Sequence, residues 1–170
     1  MPLAQLINLL TCGALEDAER DEILAAIANA PSDEQYHWVD DDAQLLALAI
    51  IYELSAFIAS GDKVDEVHEQ IQDMFDDFPG FPDQLTRDSD NGMLAYYEWL
   101  DAELRQRAVD EGGYALVAIE GSGTDDMDVL VVYRRDVDAI IEGAASMGVT
   151  ISSLLDYHRA LQALIDRRPQ

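Results

Sequence analysis

Tyr114-Ala-Leu-Val-Ala-Ile-Glu120 and Met127-Asp-Val-Leu-Val-Val-Tyr133 decide the fold. Both stretches are short, rich in β-branched and aromatic residues, and bounded by turn formers. Between them lies Gly121-Ser-Gly-Thr-Asp-Asp126, a run suited to a hairpin connection. The pattern predicts two paired strands. Downstream, Val137, Ile140, Ile141 and Ala144 give a helix over 135–147, ended by Gly148. Val149-Thr-Ile151 then reads as a third short strand. A last helix over 152–167 places Leu154, Leu161 and Ile165 on one side and carries Arg167 and Arg168 in its final turn, where the helix dipole favours cations.

Upstream of Gly113 the apolar spacing is helical throughout. Leu3, Leu6, Ile7 and Leu10 define a first helix ending near Gly13, and Asp17 opens a second, with Glu19, Asp21 and Glu22 in its early turns. Ala30-Pro31 stops that helix. Ser32 and Gln35 have capping-box spacing, so a short helical turn is expected to hold Tyr36, His37 and Trp38. Asp40, Asp41 and Asp42 open a helix over 41–60 that is apolar on all sides, which predicts a central position. Asp62 is a candidate cap for the next helix, whose stripe is Val64, Val67, Ile71, Met74, Phe75 and Phe78. Residues 79–92 form one long irregular stretch, and a long helix over 92–111 ends at Gly112-Gly113.

The expected architecture is a helix-rich α+β domain spanning 1–170: 1–111 mainly helical, then over 112–170 a small, mainly antiparallel sheet in the order strand, strand, helix, strand, helix. Residues 92–151 resemble the C-terminal half of an uncharacterised family of small bacterial proteins. The likeness rests on Glu98-Trp99-Leu100, the Gly-Tyr-Ala-Leu-Val-Ala-Ile strand, Asp-Val-Leu-Val-Val-Tyr-Arg-Arg, and the ending Met-Gly-Val-Thr-Ile. The resemblance implies the fold of that half and no mechanism. In being small, acidic and α+β the chain is also similar in character to many bacterial immunity proteins.

Charge is the strongest constraint on function. The 170 residues hold 35 acidic and ten basic groups, a net −25, and Lys63 is the single lysine. The imbalance is uneven: residues 1–103 carry 24 acids against three bases, or −21, and residues 104–170 carry 11 against seven, or −4. With 49% apolar residues this is not a disordered composition, so the charge coats a folded body. Such a surface repels nucleic acid and anionic lipid and attracts a basic protein. One cysteine, Cys12, permits no intrachain disulfide, and the N-terminus has no basic leader, which together give the expectation of a cytoplasmic protein. The apolar run 43–59 is interrupted by Gln44, Glu53 and Ser55, as a core helix is and a membrane span is not.

Motifs that would name a chemistry fail at identifiable positions. His68-Glu69-Gln-Ile-Gln72 has the start of a zinc-protease helix, but Gln72 stands where the second histidine must be, which leaves a polar helix face. Asp88-Ser-Asp-Asn-Gly92 cannot be registered as a calcium loop: with Gly92 sixth, Arg87 is first, and with Asp88 first, Trp99 is twelfth. Gly121-Ser-Gly123 lacks the lysine of a phosphate loop and is followed by Asp125 and Asp126; with Asp128 these offer weak ligands for a hard cation but read first as a solvated hairpin tip. Cys12 reads as packing and His158, on the apolar stripe, as a core or boundary residue. No metal and no cofactor is implied.

The sequence therefore points to a non-enzymatic, immunity-type or regulatory module that engages a basic partner. Its candidate binding residues are Asp40, Asp41, Asp42, Asp73, Asp76 and Asp77. One alternative is a salt-adapted protein whose charge answers its environment. The other is a small enzyme or ligand binder with a pocket near Tyr36, His37 and Trp38.

Overall fold

The computed structural model describes residues 1–87, 92–123 and 125–167. Its centre is the expected hairpin, β2 (Tyr114–Glu120) against β3 (Met127–Tyr133), antiparallel, with Tyr114 opposite Tyr133 and Ile119 opposite Asp128. The two terminal tyrosines stack with ring centroids 5.4 Å apart, a cross-strand pair that pins the register. β4 (Thr150–Ser153) adds to the outer edge of β2, and β1 (Ile58–Gly61) adds to the outer edge of β3. The sheet order is β1-β3-β2-β4, with every neighbour antiparallel.

Helices cover both faces of this sheet. On one face α1 (Leu3–Leu10), α2 (Asp17–Asn29), α3 (Asp42–Glu53) and α7 (Val137–Ala145) pack over Val117, Ile119, Leu130 and Val132. On the other, α4 (Val64–Asp73), α6 (Gly92–Arg105) and α8 (Leu154–Asp166) pack over Leu116, Val129 and Val131. A short α5 (Asp83–Arg87) precedes α6. Antiparallel sheets commonly leave one face to water and then alternate apolar with polar residues. Here both faces are covered, which is why β2 and β3 read as continuous apolar runs. Leu130 and Ile50 have no exposed surface, and truncating either to alanine would cost about 2–5 kcal/mol.

β1 overturns part of the expected 41–60 helix. α3 stops at Glu53, Leu54 leaves the helical region (φ −97°, ψ 16°), a 3-10 turn spans Ser55–Phe57, and the chain extends from Ile58. Ile58 pairs with Leu130 and Gly61 with Met127, so the open edge of β3 captures a segment whose own pattern continues the helix. The sheet consequently has four strands where the sequence suggests three. α2 begins at Asp17 as expected, and Glu16 before it forms a capping box with Glu19. Smaller corrections concern ends. Asp33, not Ser32, caps the turn Glu34–Tyr36 by accepting the Gln35 amide at 2.9 Å. Lys63 rather than Asp62 occupies the N-cap of α4, with no side-chain cap.

The helix after the long loop ends at Arg105 rather than 111. Ala108 adopts a left-handed conformation (φ 47°), a 3-10 turn follows over Val109–Glu111, and Gly112 and Gly113 are also left-handed. A Cβ on Gly113 would stand 2.8 Å from the backbone of Arg105, so this return into β2 requires glycine. The candidate calcium-loop residues 88–91 lie outside the described residues. No described helix is long and apolar enough to cross a membrane.

Candidate functional site

Two adjoining depressions open beside the turn that ends α3, the larger against α2 and the smaller against the end of α1. The larger, about 650 Å³, has an apolar floor of Leu15, Ile23 and Phe57 and carboxylates from Glu19, Glu22 and Glu53. The smaller, about 280 Å³, is lined by Cys12, Met74, Phe75, Tyr114 and Val131 among others. Ala14, Ala56 and Phe57 line both, so the two form one trough. Among the described residues lining it there is no Arg, Lys or His.

Local structure sets this arrangement. The capping box fixes the start of α2, and Glu19 and Glu22 follow within its first turns, where carboxylates suit the helix dipole. Both are exposed, whereas Glu53, the last residue of α3, is half-buried. Burial first, and then the charges of Glu53 and Asp33, push the nearby Tyr36 phenol up from its ordinary pKa. Burial likewise raises the Cys12 thiol, whose Sγ faces the Val131 carbonyl at 3.6 Å, so Cys12 is a lining group and a poor nucleophile.

The predicted acidic residues fall into two places. Asp40, Asp41 and Asp42 are exposed at the start of α3, and Asp41 caps that helix by accepting the Gln44 amide at 2.8 Å. Gln44 in turn reaches the Ser122 carbonyl, which puts this trio at the hairpin-tip end of the sheet. Asp73, the last residue of α4, and Asp76 and Asp77 beyond it are exposed at the other end, where Phe75 packs near Tyr114. The six aspartates are thus not one patch. The second trio shares its stretch of chain with Met74 and Phe75 and so flanks the smaller depression.

Tyr36, His37 and Trp38 line neither depression of the trough. Tyr36 is half-buried against the core, while His37 and Trp38 are exposed and bonded to their own turn, His37 Nδ1 to the Glu34 carbonyl at 2.6 Å and Trp38 Nε1 to the Gln35 carbonyl at 3.0 Å. Trp38 is 55% exposed and Tyr52, on α3, is 59% exposed.

His68 is a correction. It does not lie on a polar helix face but is fully buried. Its Nε2 lies 3.0 Å from the Pro79 carbonyl and its Nδ1 3.0 Å from the Tyr96 hydroxyl. A carbonyl only accepts, so Nε2 carries the proton and Nδ1 accepts from Tyr96. The rings of Phe78, Phe81 and Trp99 enclose it, and burial lowers its pKa, so it is a neutral structural group. Gln72, at the position of the missing zinc ligand, lies 3.4 Å from the Phe78 carbonyl. Among the described residues no three His, Cys, Asp or Glu side chains converge to hold a metal ion. His158 is half-buried and stacks on Tyr97 at 4.2 Å, the boundary position expected of it.

A further cavity, about 230 Å³, brings together Arg105, Arg134 and Arg159, none of which belongs to a motif that would name a chemistry. Their one visible signal is the concentration of arginine after residue 103. Comparison with family models, with curated proteins and with solved structures gives no match to this chain.

Proposed function

We propose that this chain is a non-enzymatic binding module that holds a cationic, amphipathic segment of a basic protein in the trough beside α2. The supporting observation is the lining: an apolar floor of Leu15, Ile23, Phe57, Met74 and Phe75, carboxylates from Glu19, Glu22 and Glu53, and no described basic group. An amphipathic segment lays its apolar side chains into such a groove and leaves its charges at the rim, where opposite sign steers association.

Ion pairing elsewhere supports the same reading. Arg20 pairs with Asp17, Lys63 with Glu66, Arg107 with Glu103 and Arg135 with Glu111, so basic side chains are held by local carboxylates while most of the 35 acids face solvent. Exposed ion pairs of this kind contribute at most about 1 kcal/mol to stability. Their larger effect is to leave the acidic field around the trough uncompensated.

The test is a titration of the full chain with a fluorescent peptide bearing Lys and Leu at amphipathic helical spacing, beside its Glu/Leu counterpart. Saturable binding of the Lys peptide alone is the expected result. Equal binding of both peptides, or binding of neither, overturns the proposal.

A further inference from the structure

We propose that the notch between α6, α8 and the edge of β2 binds a small dianion, a dicarboxylate or a phosphate monoester. The notch exists because β4 is shorter than β2. Val117 opposite Ser153 is the last pair on that side, so β2 residues 114–116 run on past the end of β4. Ala115, Leu116 and Ser153 line the resulting cavity of about 230 Å³. That is below the roughly 300–1,000 Å³ of sites for drug-sized ligands, which suits a small anion better than a nucleotide.

Three guanidinium groups converge there, against two carboxylates. Asp101 holds two of the three: its Oδ2 accepts Arg105 Nε at 2.9 Å and its Oδ1 accepts Arg134 Nη2 at 2.5 Å. Arg134 Nη2 also donates to the Tyr114 carbonyl at 2.8 Å. Both oxygens of Asp101 are thereby engaged, which fixes the two guanidinium groups side by side without cancelling the second charge. Arg134 Nε is buried and has no hydrogen-bond partner among the described residues. A buried charged donor left unmet is costly, and an anion in the notch would relieve it.

Arg159 closes the site from α8. Its nearest carboxylate oxygens, on Glu98 and Asp156, stand at 3.6 and 3.7 Å, too far for hydrogen bonds. It is held loosely and can turn a donor pair toward a ligand. Guanidinium forks match the two-oxygen edge of carboxylate and phosphate alike. The net −25 does not forbid this, because fields from charges more than about 8 Å away are largely screened at physiological ionic strength. In a chain with ten basic groups, three arginines drawn from two helices and a strand end into one cavity is a departure that the acidic-trough reading leaves unexplained.

The experiment is calorimetric titration of the full chain with succinate and, separately, with methyl phosphate, in buffer matched in ionic strength with chloride. The His158 ring, stacked on Tyr97 of the cavity wall, supplies an independent proton NMR readout. Saturable heat with a shift of the His158 signals is expected for at least one dianion, and which one responds tells dicarboxylate from phosphate ester. Arg159→Gln, an exposed change, should weaken binding about tenfold, the loss of one charge-assisted contact. Asp125→Asn, an exposed change in the hairpin connection at the far end of β2 from Ala115, should leave it unchanged. No saturable binding of either dianion, or wild-type affinity in both Arg159→Gln and Arg105→Gln, overturns the proposal.

Discussion

The hydroxyl of Tyr96 donates to Nδ1 of His68 across 3.0 Å, and both side chains are essentially without solvent contact. This bond joins α4 to α6 and requires neutral histidine. Protonation would place a charge among Phe78, Phe81, Tyr96 and Trp99, and the Glu69 carboxylate only partly offsets that. Because burial lowers the folded-state pKa of His68, the unfolded chain binds the proton more readily. Stability from this residue is full above the unfolded value of about 6.5 and is lost as pH falls below it. His68→Gln should be less stable than wild type at pH 7.5, and the gap should narrow toward pH 5. Urea unfolding at the two pH values measures this, and a constant gap would contradict it.

Asp128 carries the opposite sign. It is 3% exposed, accepts the Ser60 hydroxyl at 2.8 Å, and has its carboxyl pKa raised by burial. A raised folded-state value means that the folded chain holds the proton longer, so this residue's contribution declines as pH rises through and above about 3.8. Asp128→Asn should therefore gain on wild type as pH rises from that value toward neutrality. Denaturation midpoints of the two proteins across that range are the check.

Gly112 and Gly113 separate two effects that glycine combines. Both are left-handed, at φ 79° and 87°, but a Cβ at Gly112 meets nothing within 4 Å while one at Gly113 meets the Arg105 backbone at 2.8 Å. Gly112→Ala should cost about 1 kcal/mol from backbone conformation alone. Gly113→Ala adds a collision with backbone that cannot swing aside, and should cost at least about 3 kcal/mol or prevent folding. Chemical denaturation of both variants tests the ranking.

Legibility in the sequence followed the range of the interactions. The β2–β3 hairpin was readable because turn residues and a continuous apolar run are local signals. β1 was not, since Ile58-Ala-Ser-Gly61 becomes a strand only when the edge of β3 is there to pair with it. His68 read as polar because its partner Tyr96 lies 28 residues along the chain. Glu19 and Glu22 were visible as dipole-matched acids, but the trough they border forms where α2 meets the turn after α3. Asp73, Asp76 and Asp77 stand out in the sequence by charge alone, and the structure sets them beside Met74 and Phe75 of that trough.

Cys12 gives the trough a chemical reporter. With its thiol pKa raised by burial, it should react with iodoacetamide more slowly than free cysteine at pH 8 and approach the free rate in urea. Since it lines the smaller depression, a bound amphipathic peptide should slow it further. Alkylation followed by mass spectrometry reads both effects, and a rate unchanged by saturating peptide would place the peptide elsewhere.

The most direct test of the account is the dissociation constant of the Lys/Leu peptide for wild type, Glu22→Lys and Glu53→Lys as salt is raised. Wild type should bind tightest at low salt and weaken steeply as salt screens the carboxylates, and each reversal should cost about tenfold at low salt and flatten the dependence. A wild-type affinity indifferent to salt, or reversals that bind as wild type does, would contradict the claim that the acidic trough is the binding surface.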